Sequence, residues 1–178
     1  MIIVTGASRG LGRAVAERLI SSGREVLSLS RTSEGAPGDS VICDVSDYES
    51  VKAVAQSLRK EKWEIEGLVN AAGIASMNLA VTTPPSMTQK LIQTNLAGTI
   101  HCCQLFAPLM IRKKAGSMIN FSTIAVTLGL KGESIYAASK AGVEGFSRAF
   151  AREMADFDIR VNCVAPGPIK TDLLKGVS

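Results

Sequence analysis

Aromatic side chains are scarce in this sequence: one Trp, two Tyr and five Phe among 178 residues. So thin a supply argues against a platform on which nucleic-acid bases stack. Histidine is scarcer still, with His101 standing alone. The four cysteines, Cys43, Cys102, Cys103 and Cys163, contain no CxxC pair. A structural zinc site needs several nitrogen or sulfur ligands in workable spacing, so no metal site is expected. His101 adjoins Cys102 and Cys103, but consecutive helical residues point in different directions. The thiols read as buried and reduced, in a cytoplasmic protein. No apolar run approaches the roughly 20 residues of a membrane span. Gly6 and Arg9 interrupt the apolar start at once, unlike a signal peptide. Positive charge exceeds negative by only +4 and is scattered, its one short cluster being Arg112–Lys114. Neither a nucleic acid nor a membrane is therefore expected as a partner.

What the chain does have is alternation. Short apolar, β-branched runs at Met1–Val4, Glu25–Ser30, Ser40–Cys43, Gly67–Asn70, Ser117–Phe121 and Ile159–Val164 are separated by segments of helical period. Leu11, Val15 and Leu19 recur every four residues, and Val51, Val54 and Leu58 keep a similar period. Ile92, Leu96, Cys103 and Met110 mark a long helix after Pro85, with Ser86 as its expected N-cap. Ala141, Gly145, Ala149 and Ala155 mark another, whose small residues would admit a neighbouring helix closely. Thr32–Gly38 reads as a surface loop. Strands alternating with helices predict a doubly wound α/β architecture, a parallel Rossmann-type sheet with helices on both faces. The length suits a single domain over residues 1–178, with any catalytic residues inside it.

The first strand runs into Thr5-Gly6-Ala7-Ser8-Arg9-Gly10-Leu11-Gly12 and then an amphipathic helix. Glycines permit a tight turn and close approach of backbone to ligand. The helix that follows aims unpaired N–H groups at a phosphate. A glycine turn alone is a weak signal, but here it sits between a strand and a helix at the start of a βαβ unit. Its spacing, TGxxxGxG, resembles the short-chain dehydrogenase/reductase family. Further matches follow in order: Cys43-Asp44-Val45, Asn70-Ala71-Ala72-Gly73, Thr94-Asn95, Tyr136-Ala137-Ala138-Ser139-Lys140 and Pro166-Gly167. They run through essentially the whole chain, and the overall pattern looks most like 3-oxoacyl-acyl-carrier-protein reductases and related carbonyl reductases.

The resemblance implies a nicotinamide dinucleotide held by Gly6, Ser8, Arg9, Gly10, Leu11 and Gly12. Arg31, Asp44, Val45 and the stretch Asn70, Ala71, Ala72 and Gly73 would continue the site. Tyr136, Lys140, Pro166, Gly167, Ile169 and Thr171 would complete it. The second strand ends Leu29-Ser30-Arg31 with no acid to bind ribose hydroxyls and repel a 2′-phosphate. Arg9 and Arg31 would instead flank that phosphate with charge-assisted hydrogen bonds, so NADP(H) is the expected cofactor.

Tyr136 and Lys140 are four residues apart, so a helix stacks them on one face. A neighbouring ammonium favours the phenolate, and the Tyr136 pKa is expected to fall. The resemblance implies that Tyr136 exchanges the substrate proton while hydride moves, that Lys140 also binds the nicotinamide ribose, and that Asn95 holds a relay water. The family places a serine thirteen positions before the tyrosine; here that position is Thr123, with Ser122 beside it. Threonine keeps the hydroxyl but has a stiffer χ1. Thr123 is expected to serve, with Ser122 its substitute only if the strand end shifts by one residue.

Family members normally continue past the position of Ser178, so C-terminal elements are expected to be missing here. The activity implied is hydride transfer between NADPH and a ketone or secondary alcohol, free or carrier-bound, including a 3-oxoacyl thioester, by a homodimer or homotetramer. The alternative is an NADP(H)-binding sensor or scaffold of little or no turnover. Thr123 and the short C-terminus favour it; the joint presence of Asn95, Tyr136 and Lys140 opposes it.

Overall fold

The computed structural model describes residues 1–169. Six strands pair in parallel in the order β3-β2-β1-β4-β5-β6. They are β1 Ile2–Thr5, β2 Val26–Ser30, β3 Asp39–Ile42, β4 Gly67–Asn70, β5 Gly116–Phe121 and β6 Ile159–Val164. Each lies within a residue or so of an apolar run in the sequence. The helices are α1 Gly10–Ser21, α2 Tyr48–Lys60, α3 Pro85–Leu91, α4 Gly98–Ile111, α5 Ala125–Leu128 and α6 Ser134–Ala155. Helices cover both faces, giving the doubly wound α/β fold the alternation predicts.

The larger core lies between the sheet and α2, α4 and α6, where Ile3, Leu29, Leu68 and Met118 meet Val51, Phe106, Met110 and Phe150. A smaller one lies under α1, around Val4, Ala16, Val26 and Val69. Strand order reverses between β1 and β4. Thr5, at the end of β1, stands level with Leu29 and Asn70, and Asn70 with Asn120. The loops leaving these strands therefore open along one edge, at the switch point where such sheets bind ligands.

Several details differ from expectation. Pro84, not Ser86, takes the N-cap position of α3, and Pro85 begins the helix, where a missing N–H costs nothing. The long helix is not uniform: Ile92–Ala97 widens into a π turn between α3 and α4. Hydrophobic spacing does not report such a widening, which shifts backbone pairing without exposing the apolar face. Strand β3 is exposed along its length because it forms one sheet edge. Cys43, Cys102 and Cys103 are buried as expected, but Cys163 is exposed, on β6, which ends the sheet among the described residues.

Candidate active site

Helix α1 begins with an open positive end. Arg9, at its N-cap, makes no side-chain capping bond, and the first turn carries no acid. Its N-terminal amides are therefore left to solvent or to an anion. The turn before it needs glycine. Gly6 has φ +67° and Gly10 φ +56°, a left-handed region costly for other residues. A Cβ on Gly6 would lie 2.7 Å from the Ala72 Cα, and one on Gly12 would overlap the Gly6 carbonyl oxygen. The β1 and β4 ends are thus packed backbone to backbone. The Thr5 hydroxyl accepts from the Ala72 amide at 3.1 Å and locks them together.

From this turn an open cleft of about 1590 Å³ runs past the ends of β2, β4 and β5. It brings together Gly6, Ser8, Arg9, Gly10, Leu11 and Gly12, Arg31, Asp44 and Val45, Ala71, Ala72 and Gly73, and Thr123, Tyr136, Lys140, Pro166, Gly167 and Ile169. Thr171 lies outside the described residues. Arg9 and Arg31 are both exposed. Asp44 accepts from the Ser46 amide at 2.9 Å and the Ser46 hydroxyl at 2.6 Å. Partial burial pushes its pKa up, but the Ser46 bonds and the charges of Arg31 and Lys90 prevail and hold it below the ordinary value.

Two expected residues stand behind the cleft. Asn70 turns its side chain into the core, donating to Asn120 Oδ1 at 2.8 Å and to the Cys103 sulfur at 3.3 Å. Asn120 in turn donates to Ser147 of α6 at 2.8 Å. Asn95, fully buried within the π turn, is engaged on every side. Its amide accepts from the Ile74 N–H and donates to the Ile74 carbonyl, both at 2.9 Å, and donates to Ser139 at 3.0 Å. Ser139 in turn donates to the Tyr136 carbonyl at 2.7 Å. Asn95 thus ties the loop after β4 to the first turn of α6.

Adjacent hydroxyls at the end of β5 point to different partners. Ser122 donates to Glu144 of α6 at 2.6 Å and is buried. Thr123 faces the cleft beside the Tyr136 phenol, and its hydrogen bonding lowers the phenol's pKa. That pKa nevertheless ends above its ordinary value, because burial raises it most and the Glu133 charge adds to the rise. The expected lowering by Lys140 is absent. The Lys140 ammonium is turned to the Phe121 carbonyl, to which it donates at 2.7 Å. Burial brings its own pKa down to about 8. A Cβ added to Gly73 would sit 3.5 Å from that nitrogen and 3.3 Å from Asn95 Oδ1, so this glycine keeps the floor of the cleft clear.

Sequence reading missed the cleft's other lining residues. Ile74, Ser46, Lys90 and Gln93, and Leu128 and Leu130 from the segment before α6, belong to it. Ser46, Ile74, Leu128 and Leu130 lie on loops and a short helix whose course no periodicity predicts, while Lys90 and Gln93 lie in the predicted long helix, whose apolar period does not say what its other face lines. Among the described residues no cluster could hold a metal ion, and no helix is long and apolar enough to cross a membrane.

A family model described as short chain dehydrogenase matches residues 1–178. The 3-oxoacyl-[acyl-carrier-protein] reductase FabG of Salmonella typhimurium is 37% identical over 185 residues, which cover 99% of this chain and 76% of that protein. The 3-oxoacyl-[acyl-carrier-protein] reductase of Bos taurus is 39% identical, over 98% of this chain and 78% of its own. Among solved structures, ligand-free aldohexose dehydrogenase of Thermoplasma acidophilum superposes with a TM-score of 0.92 at 34% identity, covering 99% of this chain and 72% of that one.

Proposed function

Because this chain belongs to the short chain dehydrogenase family, we propose that it reduces a ketone to a secondary alcohol with NADPH. The observation that carries the reading is the meeting of Thr123, Tyr136 and Lys140 in one cleft with the glycine turn, Arg9 and Arg31. The cleft fits a dinucleotide in its own chemistry. It offers an uncapped helix end for a pyrophosphate, a glycine floor that a Cβ would obstruct, and two exposed guanidinium groups for a 2′-phosphate. When bound, NADPH supplies the hydride.

The chain's own residues supply the rest. Thr123 donates a hydrogen bond to the ketone oxygen, and the Tyr136 hydroxyl gives that oxygen its proton as negative charge develops there. A phenol whose pKa is raised stays protonated near neutrality, the state that reduction needs. Lys140, with a pKa near 8, holds a proton at neutral pH and so keeps a positive charge in the same cleft as Tyr136. Asn95 holds the loop and helix that carry these groups. An acyl-carrier-bound 3-oxoacyl thioester is the substrate suggested by the names of the relatives; a homo-oligomer is suggested by the exposed small-residue face of α6 at Ala141, Gly145 and Ala149.

The test is oxidation of NADPH in the presence of a panel of ketones, followed by absorbance. Turnover with NADPH well above that with NADH is expected. Changing both Arg9 and Arg31 to Ala should weaken NADPH selectively, by about tenfold or more if two charge-assisted bonds are lost. Equal binding of NADH and NADPH by the unaltered protein would overturn the choice of cofactor. Tight NADPH binding with no turnover of any ketone would favour a sensor.

A further inference from the structure

Charge is unevenly distributed along the cleft. Arg9, Arg13, Arg31 and Lys90 line the part near the glycine turn and the β2 and β3 ends, together with the carboxylates of Glu34 and Asp44. The segments that follow β4 and β5 add apolar lining to the same cleft as Thr123 and Tyr136: Ile74, Ile124, Ala125, Leu128 and Leu130. Leu128 is 59% exposed and Leu130 44%, so the cleft offers open hydrophobic surface there. One acid stands among them. Glu133 immediately precedes α6, and its backbone is fixed at both ends. Its N–H donates to the Leu130 carbonyl at 3.2 Å, and its carbonyl accepts from Ala137 at 2.7 Å. It is half-buried, and none of the ion pairs among the described residues includes it. Lys140, which lines the same cleft, is turned to the Phe121 carbonyl, and Lys131, two positions before Glu133, is exposed.

We propose that Glu133 is a specificity-determining residue: its carboxylate and the apolar wall beside it admit ketones flanked by neutral, apolar groups and repel those bearing a carboxylate next to the carbonyl. The proposal rests on the reductase reading above. Two costs fall on an anionic substrate. Its carboxylate loses water against Leu128 and Leu130 without gaining a partner, and it meets a like charge in a partly desolvated cleft. The field of Glu133 reaches the reacting centre, since it helps to raise the Tyr136 pKa after burial has done most of that work.

The experiment compares an α-keto ester with the α-keto acid of the same skeleton, each with NADPH. The ester is expected to have the higher kcat/KM by about tenfold or more, mainly through KM. Glu133→Gln should shrink that ratio by lowering KM for the acid, and Glu133→Asp, which keeps the charge, should retain it. Thermal melts of both variants establish that they fold. Equal kcat/KM for ester and acid in the unaltered protein, or a ratio unmoved by Glu133→Gln in a folded variant, overturns charge selection and leaves the reductase reading standing. Failure to reduce any ketone of a broad panel overturns the reductase reading and this proposal with it; reduction of other ketones but of neither member of this pair overturns this proposal alone.

Discussion

Ser122 and Thr123 carry the same functional group, and one residue of register decides which meets the substrate. The strand alternates its side chains, so the end of β5 sends Ser122 into α6 and leaves Thr123 to the cleft. Thr123→Val keeps the shape and loses the donor, and should cost on the order of 10²-fold in turnover. Ser122→Ala should leave turnover within a few-fold. Tyr136→Phe should retain NADPH binding, read by fluorescence titration, while steady-state turnover almost vanishes. Full activity of Thr123→Val with an inactive Ser122→Ala would shift the register by one.

Lys140 invites a second expectation. Its pKa in the folded protein is about 8, against an ordinary 10.5. Below pH 8 folded and unfolded chains both hold the proton, and the folded state bears the full cost of a buried ammonium. Between those values only the unfolded chain holds it, so stability rises with pH across that window. Lys140→Met should therefore stabilise the fold at pH 7, on the order of 1–3 kcal/mol, while abolishing turnover. The rise in stability above pH 8 should flatten. Urea denaturation at pH 7 and pH 10 measures both effects, and a loss of stability at pH 7 would contradict them.

Among elements, the contact between β5 and α6 decides how the site is assembled. Ser122 and Glu144 form a partly buried bond that holds the strand bearing Thr123 against the helix bearing Tyr136 and Lys140. Glu144→Ala leaves the Ser122 hydroxyl only the longer bond to the Lys140 carbonyl at 3.4 Å and should cost about 1 kcal/mol of stability, seen as a lower Tm. An unchanged Tm would make the bond dispensable. Nothing in local pattern announces this pair, since its members are 22 positions apart. The strands and helices themselves were legible, because apolar period survives folding. So was the glycine turn, because positive φ and backbone contact leave a compositional mark at Gly6, Gly10 and Gly12. The π turn at Ile92–Ala97 was not legible, nor was the inward turn of Asn70, which depends on Asn120 and Cys103 lying opposite. The Tyr136 pKa was misjudged for a similar reason: helical spacing puts Lys140 on the same face, but tertiary packing directs its ammonium to Phe121.

At the scale of the whole molecule, the unused surface is that of α4 and α6. Both lie on the same side of the sheet, over the larger core. Ala141, Gly145 and Ala149 of α6 are exposed, and a Cβ added to Gly145 would meet nothing within 4 Å. Gln104 and Pro108 of α4 are exposed as well, with Leu105 and Ile111 half-buried beside them. A face of small side chains lets a second helix approach its backbone closely, which suits a two-fold contact between copies of this chain. We therefore expect a homodimer or homotetramer in which these helices meet their counterparts, burying more than roughly 1,000 Å². Gly145→Arg projects a long cation into that contact, yet it should leave the isolated fold intact because it points into open space. Light scattering at micromolar concentration should give a multiple of the 18.7 kDa chain mass for the unaltered protein and a smaller species for the variant. A strictly monomeric mass for the unaltered protein would refute the assembly. An oligomer that Gly145→Arg leaves untouched would place the contact on another face.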